Sequence, residues 1–120
     1  MQPKQLLWVG SSEKDLHKFP DEVIDTMIHG LRVAQAGGKA ADAKVLKGFG
    51  GASVIELIDD DPSGTYRAVY TIKMAKAVFV LHAFQKKSKQ GIKTPQRDMD
   101  LIEIRLKRAQ EIYKELFGKR

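Results

Sequence analysis

The sequence predicts a two-layer α+β domain with the element order β-α-α-β-β-β-β-α. Three observations predict it. Apolar residues recur at helical spacing over residues 20–36 and 95–118, so both segments read as amphipathic helices. The period changes to two between residues 44 and 85, where four strand-like runs follow one another with short links. Such links join antiparallel neighbours, so the runs form a meander, and an N-terminal helical hairpin must share its core.

Lys4 to Val9 reads as the first strand, with Leu6, Leu7, Trp8 and Val9 apolar. Ser11-Ser12 offers an N-cap, and Asp15 follows Ser12 by three residues in a box-like arrangement. A short helix runs from there to Phe19. Pro20 suits the first helical position, and Asp21-Glu22 suit the positive helix end. Val23, Ile24, Met27, Ile28, Leu31 and Ala34 form the apolar stripe of this second helix, which Gly37-Gly38 closes. Lys44 to Phe49 and Ser53 to Asp59 read as strands, and Asp59 to Gly64 as a turn by composition. Thr65 to Lys73 and Ala77 to Gln85 complete the meander, joined by Lys-Met-Ala-Lys. Residues 86–94 read as a basic loop. The closing helix presents Met99, Ile102, Leu106, Ala109, Ile112, Tyr113 and Leu116. With the helices on one sheet face, the other face is expected to be free as a working surface.

A chain of 120 residues fits one domain, residues 1–120, with one core. No run approaches the ~20 apolar residues of a membrane span. The first ten residues lack a signal-peptide pattern. Cysteine is absent, which excludes disulfides and thiolate chemistry. These features predict a cytoplasmic protein with no membrane partner. The net charge is +6, and its placement is uneven. Residues 1–85 carry ten Lys/Arg and ten Asp/Glu, whereas residues 86–120 carry eleven against five. This asymmetry points to an anionic partner for the C-terminal third, either nucleic acid or an acidic protein. A solvated helix face with a basic tail accounts for it equally well.

The chemistry-bearing residues cluster near the ends of the strands. The apolar run Ala77-Val78-Phe79-Val80-Leu81 hands His82, Phe84, Lys86, Lys87 and Lys89 to what reads as solvent. His82, Phe84 and Lys86 share a face by alternation. Arg67 lies in mid-strand, where a guanidinium is costly unless its face is wet or paired. Glu56 poses the same question one strand earlier, and a cross-strand Glu56–Arg67 pair answers both. A structural ion pair is one reading. The other is a guanidinium held by a carboxylate to bind phosphate. Tyr66 and Tyr70 alternate to the opposite face from Arg67, toward the core. Lys47 lies in a glycine-rich stretch without the spacing of a phosphate-binding loop. His17, His29 and His82 lack metal-ligand spacing, and Asp59-Asp60-Asp61 lacks that of a calcium loop, so no metal or cofactor is expected. Residues 12–36 are acidic at the helix start and poor in base-reading side chains, which argues against a DNA-reading helix-turn-helix.

The chain resembles the RelE/ParE superfamily of type II toxin–antitoxin toxins, in its phage-derived, HigB-like branch. The residues that carry the resemblance are Leu46-Lys47-Gly48, Val54-Ile55-Glu56-Leu57, Thr65-Tyr66-Arg67-Ala68-Val69-Tyr70, and above all Leu81 to Lys89 followed by Lys93-Thr94-Pro95. They occur in order over residues 5–117. The resemblance implies a RelE-like fold, a small antiparallel sheet with a helical hairpin packed on it. It implies a ribosome-dependent mRNA endonuclease that uses the RNA 2′-hydroxyl as nucleophile, without metal. Its partners would be the ribosome, mRNA and a cognate helix-turn-helix antitoxin, assembled with it as a heterotetramer. Carried over by position, Arg67, Glu56, His82 and Lys86 are the catalytic candidates. Lys47, Lys87, Lys89 and Lys93 are the candidates for RNA and ribosome contact. Relatives often carry a further Tyr or His after the last strand. Here Tyr113 is the one available, and helical spacing assigns it to packing. A second reading is a non-enzymatic binding module, either a ParE-like topoisomerase inhibitor or an inactive toxin that binds only its antitoxin.

Overall fold

The computed structural model describes residues 2–51, 53–86 and 93–118. The elements are β1 (Gln5–Trp8), α1 (Ser12–Leu16), α2 (Asp21–Gln35), β2 (Ala43–Val45), β3 (Val54–Asp61), β4 (Gly64–Thr71), β5 (Ala77–Lys86) and α3 (Gln96–Phe117). Their order is the one the sequence predicts. The sheet runs β1-β5-β4-β3-β2. Strands β2 to β5 form the expected antiparallel meander, while β1 pairs parallel with β5 and makes the sheet mixed. β5 thus has a neighbour on each side, which explains its unbroken apolar run.

Local chemistry sets the element ends. The strand expected to reach Phe49 stops at Val45, because Gly48, Gly50 and Gly51 take φ of 107°, 74° and 103°, values closed to a regular strand. The turn expected over Asp59–Gly64 shrinks to Pro62-Ser63, and β3 continues through the aspartates to Asp61. Asp61 Oδ2 accepts from the backbone N–H of Ser63 at 3.0 Å and from its hydroxyl at 2.7 Å, closing the hairpin. Pro20 sits at the N-cap of α2 rather than inside it. Ser12 is inside α1 instead of capping it, and its hydroxyl donates to the Val80 carbonyl at 3.0 Å.

α2 buries Val23, Met27, Leu31 and Ala34 against one sheet face with Ile55, Leu57, Ala68, Tyr70, Val78 and Val80. Gly30 permits this approach, since a Cβ there would lie 2.8 Å from Leu57 Cδ2. Tyr66 and Tyr70 lie in this core, as their alternation requires. The opposite face is not free, contrary to the sequence expectation. α3 covers it, burying Ile102 and Ala109 against a cluster that contains Val54, Val69, Phe79 and Leu81. The reason is the apolar stripe of α3 itself, which needs a partner as much as that of α2 does. Leu116, assigned to this stripe, is exposed, and Phe117 packs instead.

One irregularity positions the site. Val69 pairs with His82 but Tyr70 pairs with Val80, so Leu81 is an extra residue in β5. This bulge puts Phe79, Leu81 and then His82 on the α3 side. Simple alternation would send Leu81 and His82 to opposite faces.

Candidate functional site: a buried cationic cluster under the third helix

Beyond the bulge, β5 carries His82, Phe84 and Lys86 along the face that looks toward the start of α3. On β4, Arg67 is opposite Phe84, and Thr65 is opposite Lys86. On β3, Glu56 is opposite Val69, one diagonal step from Arg67. Four of the predicted residues are therefore together. Arg67 Nη1 donates to Glu56 Oε1 at 3.1 Å. The second carboxylate oxygen of Glu56 accepts from the Thr94 hydroxyl at 2.8 Å. Asp98, in the first turn of α3, accepts from His82 Nε2 at 2.7 Å. The His82 ring stacks on Phe84 with centroids 4.7 Å apart and planes at 19°. Its Nδ1 is buried and has no hydrogen-bond partner among the described residues.

The cluster is closed to solvent. Glu56 is 5% exposed, Arg67 4%, His82 7%, Lys86 8% and Thr94 8%. The sequence reading exposed His82 and Lys86 to water, whereas both are buried, His82 in contact with Asp98 of α3. Burial lowers the Lys86 pKa from its ordinary value; the neighbouring Arg67 charge lowers it further and Glu56 offsets part of the effect. Arg67 is thus ion-paired with Glu56, and Lys86 lies near enough to be influenced by both charges.

The remaining predicted residues do not join the cluster. Lys47 is exposed on the loop after β2, and Lys93 is exposed just before Thr94. Lys87 and Lys89 lie outside the described residues. Tyr113 is structural: it packs edge-on against Phe79 with centroids 6.4 Å apart, and its hydroxyl accepts from the Lys76 backbone N–H at 3.3 Å. Sequence reasoning missed Thr94 and Asp98 as site residues. Thr94 entered only as part of Lys93-Thr94-Pro95 before the closing helix, and Asp98 not at all. Their partners lie 38 and 16 residues away, so no local motif marks them.

Among the described residues a second cavity has different chemistry. A cavity of about 170 Å³ lies on the α2 side, lined by Thr26, Met27, His29, Ala40, Ala41, Asp42, Leu57 and Ile58, with no Lys or Arg. Its neighbourhood is acidic. Burial raises the Asp59 pKa despite a hydrogen bond from Thr26, and the charges of Asp61, Asp42 and Asp60 raise it further. Among the described residues no group of three or more His, Cys, Asp or Glu side chains is arranged to hold a metal ion. No helix among them is long and apolar enough to cross a membrane.

The model of a protein family described as phage-derived protein Gp49-like matches residues 14–107, from α1 through the middle of α3. The chain belongs to the Gp49-like family of phage-derived proteins. Among solved structures, a chain of the RelBE2 toxin–antitoxin complex from Mycobacterium tuberculosis is similar, with a TM-score of 0.50 and 20% identity. The match covers 73% of this chain and 97% of that one. At that identity the likeness concerns the fold. Both matches agree with the resemblance drawn from the sequence, to the phage-derived branch of the RelE/ParE superfamily. No curated protein matches.

Proposed function

We propose that this Gp49-like protein is the toxin of a type II toxin–antitoxin pair and a ribosome-dependent mRNA endonuclease. The observation that carries the reading is the placement of Arg67, Lys86, Glu56 and His82 on one face of three adjacent strands. Cleavage by the RNA's own 2′-hydroxyl needs few groups. The 2′-oxygen loses its proton and attacks the adjacent phosphorus, and the bond to the 5′-oxygen breaks. The leaving 5′-oxygen takes up a proton, leaving a 2′,3′-cyclic phosphate and a 5′-hydroxyl. Arg67 and Lys86 stabilise the charge on the phosphoryl oxygens. Glu56, with one oxygen on Arg67 and the other on Thr94, orients the guanidinium. His82 moves a proton through Nδ1, the ring nitrogen that Asp98 does not engage. Lys47, Lys87, Lys89 and Lys93 contact RNA and the ribosome. The cognate antitoxin, a small helix-turn-helix protein, binds the toxin in a heterotetramer.

A second reading has its own support. The cluster is almost fully enclosed, which suits a non-enzymatic binder, either a ParE-like topoisomerase inhibitor or an inactive toxin that only binds its antitoxin. One experiment separates the two. Wild-type and Arg67→Ala protein are added to a translating extract, and mRNA 5′ ends are mapped. The endonuclease reading expects new ends within codons, only with wild type and only with ribosomes. Equal cleavage by Arg67→Ala removes Arg67 from the site. An absence of new ends with both proteins favours the binder, and topoisomerase inhibition is then the next assay.

A further inference from the structure

Two residues of α3 grip two consecutive residues of β5 at the bulge. Arg105 Nη1 donates to the Leu81 carbonyl at 3.0 Å, and its Nη2 donates to Ser11 Oγ at 3.1 Å. Gly10 leaves room for this guanidinium, since a Cβ there would lie 2.8 Å from Arg105 Nε. Asp98 Oδ1 accepts from His82 Nε2 at 2.7 Å. Asp98 and Arg105 are about two helical turns apart, so they share one face of α3. Ile102 falls between them on that face and is fully buried against the sheet. The His82 imidazole is therefore fixed in three ways. The bulge turns it to the α3 side, the Phe84 ring stacks on it with centroids 4.7 Å apart, and the Asp98 carboxylate holds one nitrogen.

The chemistry of these contacts also assigns the ring proton. A carboxylate accepts hydrogen bonds and donates none, so Nε2 carries the hydrogen. Nδ1 is buried with no hydrogen-bond partner among the described residues, so a proton there would be a donor without an acceptor. Both features select the same tautomer, Nε2–H with a bare Nδ1. A buried polar atom without a partner is uncommon in folded proteins, and a catalytic role is one of the few reasons for one. We propose that Asp98 is the positioning residue for His82: it fixes the Nε2–H tautomer and the ring orientation, so that Nδ1 presents the lone pair that accepts the 2′-hydroxyl proton. The catalytic half of this proposal rests on the endonuclease reading above; the tautomer does not. The step balances. The 2′-oxygen gives its proton to Nδ1 as it bonds to phosphorus, and the 5′-oxygen leaves with a proton from water. The imidazolium then returns its proton to the hydroxide so formed. While it lasts, the Asp98 carboxylate on Nε2 stabilises its charge.

The test is Asp98→Asn in the full chain, with Asp98→Glu as its rescue. The amide keeps the shape but donates as well as accepts, so it no longer specifies which ring nitrogen holds the proton. Two quantities are read. One is the protonation of each His82 nitrogen, from long-range proton–nitrogen correlation spectra of protein labelled with nitrogen-15 histidine, the signals being assigned by their loss in His82→Gln. These are recorded at pH about 8, above the ordinary titration range of histidine. The other is the yield of new mRNA 5′ ends in the translating extract. In wild type, Nε2 is expected to be protonated and Nδ1 bare. In Asp98→Asn the Nδ1–H form appears and new ends fall about tenfold or more, a share of the roughly 100- to 10,000-fold that general acid–base catalysis contributes. Asp98→Glu restores both. A merely structural Asp98 would lower the Tm and leave the ring proton in place, so an unchanged His82 spectrum in Asp98→Asn overturns the proposal. So does a proton on Nδ1 in wild type. A changed tautomer with undiminished cleavage overturns His82 as the proton acceptor. An absence of new ends even with wild type overturns the endonuclease reading and the catalytic half with it, while the tautomer change still upholds the hold of Asp98 on the ring.

Discussion

Replacing Glu56 with alanine should be among the most damaging single changes in this protein. Both carboxylate oxygens are engaged, one by Arg67 at 3.1 Å and one by Thr94 at 2.8 Å. The side chains of Arg67 and Glu56 are only 5% and 6% exposed, so solvent screening is weak. Without the carboxylate, Arg67 loses its ion pair to Glu56 while it stays buried. Breaking a buried ion pair from one side costs about 3–5 kcal/mol. For a chain of this length that corresponds to a fall in Tm of roughly 10–20 °C. Urea denaturation followed by circular dichroism measures the loss directly. The control is the double variant Glu56→Leu with Arg67→Met, which replaces the pair with apolar side chains of similar size. Such replacements are often close to neutral, so the double variant should lie within about 2 kcal/mol of wild type. A loss below about 1 kcal/mol for Glu56→Ala, or a double variant weaker than the single one, would refute the reasoning.

Two further predictions concern stability. Tyr70 is fully buried, its hydroxyl has no hydrogen-bond partner among the described residues, and burial pushes its pKa up to about 12. The folded state therefore resists its ionisation more than the unfolded chain, so about 2–3 kcal/mol is fully present below pH ~10 and lost as pH rises toward 12. Tyr70→Phe should remove that alkaline loss and raise stability at pH 7 by about 1 kcal/mol; an unchanged stability profile between pH 9 and 12 would contradict it. On α3, Ile102→Ala should cost about 2–5 kcal/mol, while Ile104→Ala, two residues on and 65% exposed, should change stability by no more than about 0.5 kcal/mol. Equal losses at the two positions, read by thermal denaturation, would mean that α3 is not docked through Ile102.

The sequence by itself determined the elements, their order and the faces of β3 and β4. Those features depend on local periodicity and on turn residues such as Pro62-Ser63 and Gly48. It also determined that Glu56 and Arg67 should meet, because two charged residues inside apolar strands joined by one turn need each other. Tertiary structure decided what those residues meet next. β1 pairs in parallel with a strand some seventy residues later, a contact that no local pattern encodes. The bulge at Leu81 turns His82 to the α3 side, although the run Phe79-Val80-Leu81-His82 reads as ordinary alternation. Most consequentially, α3 folds back over the face that the sequence leaves open. Its apolar stripe announced that it would be buried, but not against which surface. The choice follows from the competing demand of Val54, Val69, Phe79 and Leu81, which also need cover. Tertiary packing also sets Thr94 on Glu56 and Asp98 on His82, and the cluster that the sequence exposes to water is buried.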